Sequence, residues 1–164
     1  MERTVLVNAR GGGYGFGDQV LTCYHLVDAS DTVLMITYSG DIIIGYVIKK
    51  APENDLAIIS TGSPRFDETI LFGDYRMGSP IFAIGHPMGL DWTTSYGRVE
   101  GMFREVFGIP TFQVSLPSTG GGSSGSPIFN RKGELIGILS SMISNNSIRF
   151  VIPRDTIINF IKNE

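Results

Sequence analysis

The sequence predicts an all-β protein of the sandwich or barrel class, closed by a single C-terminal helix. Three observations carry that expectation. About eleven short segments are rich in Val, Ile, Thr and aromatics, and turn residues punctuate them every 8–14 positions. Glycine reaches 21 of 164 residues, as many tight turns require. Only the last dozen residues carry an apolar pattern of helical period.

The segments run in order as RTVLVNA, QVLTCYHLV, TVLMITY, DIIIGYVIKK and DLAIIST, and then PIFAIGH, TTSYGRVEGMF, TFQVSL, SPIFN, ELIGILSSM and SIRFVIP. Between the two groups, residues 62–79 read as a connection. In PRDTIINFIKNE, Pro153 precedes the helix, Asp155 is placed to cap it, and Ile157, Ile158, Phe160 and Ile161 form one apolar face.

Composition excludes several classes. The net charge is −3 and no run of Lys or Arg exists, so nucleic acid and anionic membranes are not expected partners. No apolar stretch approaches the length of a membrane span. The lone cysteine, Cys23, excludes an internal disulfide framework and suits a reducing compartment. The first ten residues also lack the apolar core of a signal peptide, so a cytoplasmic location is expected. With two histidines and one cysteine dispersed along the chain, no metal-ligand cluster and no cofactor are expected.

The segment GGSSGSPIF, residues 121–129, poses the functional question. As a flexible linker it would have to join two domains, but too few residues follow it to fold alone, and strand-like TFQVSL and PIFN flank it. It therefore reads as a glycine-rich turn within a β domain. Two catalytic frames overlap in it. G-x-S-x-G nominates Ser123 but needs a following helix and a later histidine, and none lies beyond His86. The frame Gly122-Ser123-Ser124-Gly125-Ser126-Pro127 nominates Ser124 and needs His, then Asp, then Ser.

A serine hydroxyl needs an adjacent base, and a base needs an orienting carboxylate. His25 ends the strand VLTCYH, where a side chain can project into a cleft, whereas His86 sits in a Gly-His-Pro turn and reads as loop structure. Asp18, Asp31 and Asp41 lie in turns. Asp55 directly precedes the apolar LAIIS, where a carboxylate at the mouth of a buried strand needs partners, although capping a turn with Asn54 is an alternative. Cys23, two residues before His25, is expected on the same strand face as small apolar filling.

Together these segments resemble trypsin-like serine proteases, and most closely the protease domain of the HtrA/Deg family. VLTCYHLVDASD is similar to that family's strand and turn around its catalytic histidine, and ENDLAIIS to its Asp-Leu-Ala segment. IFAIGHPMGLDWTTSYGRVEG, GGSSGSPIFNRKGELIGILS and IRFVIPRDTI resemble three further stretches in the same order, and the resemblance as a whole spans about residues 11–162. The resemblance implies a chymotrypsin-like fold of two antiparallel six-stranded β-barrels and a short C-terminal helix. It places the N-terminal barrel in 1–66, the connection in 67–79, the second barrel in 80–153 and the helix in 154–163.

It further implies a serine endopeptidase with His25 as base, Asp55 as orienting acid and Ser124 as nucleophile, acting through an acyl-enzyme. The N–H groups of Gly122 and Ser124 would form the oxyanion hole. Ser118, Thr119 and Gly120, with Ser140, Ser141 and Met142, would line the substrate site, whose lack of charge suggests a small or medium apolar P1 residue. The partner is then a protein or peptide substrate, with an activator or a second copy left open. Ser126 departs from the family's glycine, and a catalytic module without the family's PDZ domain is expected. Three alternatives stand beside this reading: a narrow viral or phage processing protease, a catalytically silent binding domain, and a latent protease awaiting an activator.

Overall fold

The computed structural model describes residues 2–86, 92–117, 123–145 and 148–163, with side chains described up to Ser140 and again from Arg149. Twelve strands form two closed antiparallel barrels. The first contains β1 (Thr4–Val7), β2 (Gly11–Phe16), β3 (Gln19–Thr22), β4 (Thr32–Thr37), β5 (Ile42–Ala51) and β6 (Leu56–Ser60), in the order β1-β2-β3-β6-β5-β4. The second contains β7 (Pro80–Gly85), β8 (Thr93–Val106), β9 (Ile109–Ser115), β10 (Pro127–Asn130), β11 (Leu135–Asn145) and β12 (Ile148–Pro153), in the order β10-β11-β12-β9-β8-β7. Closure pairs β1 with β4 and β7 with β10, which leaves neither sheet a free edge.

Two differences from the sequence reading bear on the site. The glycine-rich GGGYGF, not anticipated as a strand, is β2 and pairs with both β1 and β3. The strand carrying His25 stops at Thr22, and Tyr24–Leu26 form a single 3-10 turn. His25 therefore projects from a turn held at both ends: the Leu26 N–H donates to Cys23 O, and Asn8 Nδ2 donates to Leu26 O at 3.1 Å.

The barrel interiors fill with aliphatic side chains. Val5, Val20, Leu21, Met35, Leu56 and Ile59 pack within the first barrel. Phe112, Val114, Ile128, Ile136, Leu139 and Val151 pack within the second. Strand β5 turns Ile43 inward while Ile42, Ile44, Tyr46 and Ile48 remain exposed. Helix α1 (Arg154–Lys162) lies on β11 and β12 and buries Ile157 and Phe160. Each of those two side chains contributes about 1.5–3 kcal/mol. Asp155 does not cap the helix: the N-cap is Pro153, and Asp155 instead accepts a hydrogen bond from Arg154 Nε. No described helix is long and apolar enough to cross a membrane.

Where the barrels meet, β2 lies against the turn after β9. The Gly12 N–H donates to Ser124 O at 2.8 Å, and the Gly125 N–H donates to Leu139 O at 2.8 Å. These two bonds tie the Ser124 segment to both barrels. A Cβ at Gly11 would overlap the Ser124 carbonyl oxygen, which explains why this strand is built of glycine.

Candidate active site

Asp55 is the organising residue. It follows a 3-10 turn (Pro52–Asn54) and adopts the left-handed conformation, with φ 54°. Aspartate tolerates that region better than most residues do. The twist turns its side chain back under the His25 turn, and its own carbonyl accepts the Tyr24 N–H at 3.0 Å. Asp55 is 1% exposed.

Three donors satisfy its carboxylate. Oδ1 accepts the His25 backbone N–H at 2.9 Å. Oδ2 accepts His25 Nδ1 at 2.8 Å and the Ser140 hydroxyl at 2.9 Å. A carboxylate only accepts, so in the neutral imidazole Nδ1 carries the proton and Nε2 the lone pair. Among the described residues no Lys or Arg pairs with Asp55. Three hydrogen-bond donors, from His25 and Ser140, meet this buried charge.

Ser124 sits in the turn Ser123–Ser126, closed by the Ser126 N–H on Ser123 O. Gly125 takes φ 83° there, which an L side chain resists. Ser123 and Ser124 are both buried. Ser140 reaches Asp55 from β11 and is itself buried, so its hydroxyl serves the acid. Ser141 and Met142 lie on β11 with side chains outside the described residues, and Ser118, Thr119, Gly120 and Gly122 lie wholly outside them.

Cys23 is buried at the base of the same site and donates to Leu139 O at 3.3 Å. Burial, and then the charge of Asp55, push its thiol well above the ordinary range, so it stays protonated. The three residue types dispersed in sequence nonetheless converge: the ligating atoms of Cys23, His25 and Asp55 lie within 4.8 Å of one another. His86 is buried and structural, with Nε2 on Val5 O at 3.3 Å and Nδ1 accepting the Trp92 N–H at 3.2 Å.

Ser126, which replaces the family's glycine, has a cost visible in the structure. Its hydroxyl is buried against Gly12 and Gly85, and among the described residues nothing hydrogen-bonds to it. Removing a buried unsatisfied hydroxyl recovers about 1–3 kcal/mol. Ser126→Ala is therefore expected to raise the melting temperature, by roughly 2–4 °C per kcal/mol, with thermal unfolding as the measurement. An unchanged or lowered melting temperature would mean that the hydroxyl has a partner after all.

The comparisons with known proteins agree with this architecture. Residues 4–138 match the family model described as a trypsin-like peptidase domain. The periplasmic serine endoprotease DegP of Salmonella typhimurium is 29% identical over 88% of the chain and 32% of its own length. The first curated relatives it matches are covered over only 31% to 40% of their lengths. Among solved structures, the inactive form of Rv3671c from Mycobacterium tuberculosis superposes with a TM-score of 0.81, at 17% identity over 98% of this chain and 85% of that one. The HtrA-type protease AlgW, solved with a decapeptide, gives a TM-score of 0.79 at 23% identity, over 93% of this chain and 52% of that one.

These relatives overturn the expected cytoplasmic location, because several are named as periplasmic proteases. A lone cysteine was a poor guide to compartment, since two closed barrels are held by their ladders and cores without any disulfide. The family match covers more than half of the chain, includes His25, Asp55 and Ser124, and falls on a double barrel: the chain belongs to the trypsin-like peptidase domain family.

Proposed function

We propose that the chain is a serine endopeptidase of the HtrA/Deg type, acting through His25, Asp55 and Ser124. The observation that carries this reading is the fully engaged Asp55 carboxylate, which fixes both the backbone and the ring of His25. With the proton held on Nδ1, Nε2 is the base. It accepts the Ser124 proton as Oγ attacks the scissile carbonyl, then returns it to the leaving amine. Water repeats the sequence on the acyl-enzyme. The developing oxyanion is met by the N–H of Ser124 and, by resemblance, that of Gly122.

Substrate pairs as an added strand along the β11 backbone near Ser140 to Met142, where the ladder to β12 is irregular between Ser140 and Asn145. The decapeptide solved with AlgW supports a peptide substrate. The named relatives point to the periplasm as the place of action.

The test is labelling with a fluorophosphonate, with the site mapped by peptide mass. Label is expected on Ser124. It should be lost in Ser124→Ala and His25→Ala and kept in Ser123→Ala. Label on Ser123 would overturn the assignment, and no label on any protein would mean a latent or silent site.

A further inference from the structure

We propose that Cys23, His25 and Asp55 together form a binding site for a thiophilic divalent cation, Zn2+ or Cd2+, whose occupancy switches the peptidase off. The inhibitory consequence rests on the proposed role of His25, whereas the binding does not.

Three observations carry the site. The sulfur, the ring nitrogen and the carboxylate oxygen lie within 4.8 Å of one another. They are the three ligand types Zn2+ takes, at about 2.0–2.3 Å each, which sets tetrahedral ligand atoms roughly 3.3–3.7 Å apart. Closing the cluster therefore needs shifts of about 1 Å in side chains that already touch. The second observation is charge: the Asp55 carboxylate is 1% exposed and, among the described residues, no Lys or Arg pairs with it, so a cation supplies a countercharge to a buried acid. The third is access. Cys23 is fully buried, while the His25 side chain keeps 27% of its surface in solvent. The His25 ring is the solvent-facing wall of the site, through which an ion would enter once its hydrogen bond to Asp55 breaks.

Coordination displaces two protons and breaks two hydrogen bonds, from Cys23 Sγ to Leu139 O and from His25 Nδ1 to Asp55. The thiol proton goes to solvent as sulfur binds the metal. The imidazole proton leaves Nδ1, which becomes a ligand, and solvent returns one to Nε2. The Nδ1–H hydrogen bond to Asp55 is lost, and Nε2 now carries a hydrogen where catalysis needs a lone pair. A water or the Ser140 hydroxyl, 2.9 Å from Asp55 Oδ2, completes four-coordination. Hard cations such as Mg2+ and Ca2+ avoid sulfur and do not compete.

The experiment titrates ZnCl2 or CdCl2 into the wild type, Cys23→Ala and Cys23→Ser. Inhibition within each protein is read as the ratio of fluorophosphonate labelling rates with and without metal. Binding is read separately on Ser124→Ala, from the ultraviolet thiolate-to-Cd2+ charge-transfer band. The expected result is loss of wild-type labelling, reversed by EDTA, with at least tenfold more metal needed in both Cys23 variants. The charge-transfer band should appear in Ser124→Ala and vanish when Cys23→Ala is added. Equal metal sensitivity in wild type and both variants would overturn the proposal, and so would absence of the band. If no protein labels at all, the reading of function has failed while the absorption titration still decides the metal site.

Discussion

Asp55→Asn is expected to cut the rate of fluorophosphonate labelling, and kcat on any peptide substrate, by about 10⁴-fold while leaving the fold intact. The substitution keeps size and shape and exchanges an acceptor for a group that both accepts and donates. Asp55 Oδ1 and Oδ2 together meet the His25 N–H, the His25 ring and the Ser140 hydroxyl. In the variant the amide oxygen satisfies the backbone N–H, and the amide NH2 then faces His25 Nδ1. That contact is favourable only if Nδ1 gives up its proton, so the imidazole switches tautomer and Nε2 becomes a donor. Ser124 then loses its base although every heavy atom stays in place.

Asparagine also suits the left-handed backbone at this position, φ 54°, so the variant isolates chemistry from strain. Asp55→Ala does not: it leaves the buried His25 N–H and Ser140 hydroxyl without partners and should cost about 2–4 kcal/mol in stability as well. If Asp55→Asn labelled within tenfold of wild type while melting normally, the carboxylate would be a structural anchor and the proposed mechanism would fall.

The same residue shows how much the sequence can disclose. The burial of Asp55 and its need for partners were legible from its place before an apolar strand. The Ser140 bond to Asp55 was not, because the two residues are 85 apart and belong to different barrels, so only the packing of one barrel against the other brings them together. Cys23 was legible as buried, but its closeness to the acid was hidden by the 3-10 turn that takes His25 off the strand axis.

Strand β2 escaped detection because its glycines carry none of the side-chain signals of a strand. Their reason lies in partners distant along the chain: Cβ atoms at Gly11, Gly13 and Gly15 would collide with Ser124 and Leu26, with Val20, and with Phe66. Strand β5 failed differently. It was recognised as a strand, but apolar residues on both faces erased the alternation that tells inside from outside. Ile43 is buried, and Ile42 and Ile44 on either side of it are exposed.

Gly125→Ala is expected to be strongly damaging, and the reason is backbone rather than side chain. With φ at 83°, an L residue costs about 1–2 kcal/mol here from conformation alone. The added Cβ would also overlap the carbonyl oxygen of Gly12, which cannot rotate away. That carbonyl accepts the Thr22 hydroxyl at 2.8 Å, and the Gly12 N–H donates to Ser124 O at 2.8 Å, so relief requires β2 to part from the Ser124 turn. Loss of those buried bonds adds about 1–3 kcal/mol each. A melting temperature lower by roughly 10 °C or more is expected, together with loss of labelling, because the Ser124 N–H and Oγ move with the turn.

Gly133→Ala separates the two causes. Gly133 has nearly the same φ, 80°, but nothing lies within 4 Å of a Cβ placed there. It should lose only the conformational part, about 1–2 kcal/mol, and label at the wild-type rate. Equal losses in the two variants would show that φ alone sets the cost. The contact between β2 and the Ser124 turn would then not be what holds the two barrels together there.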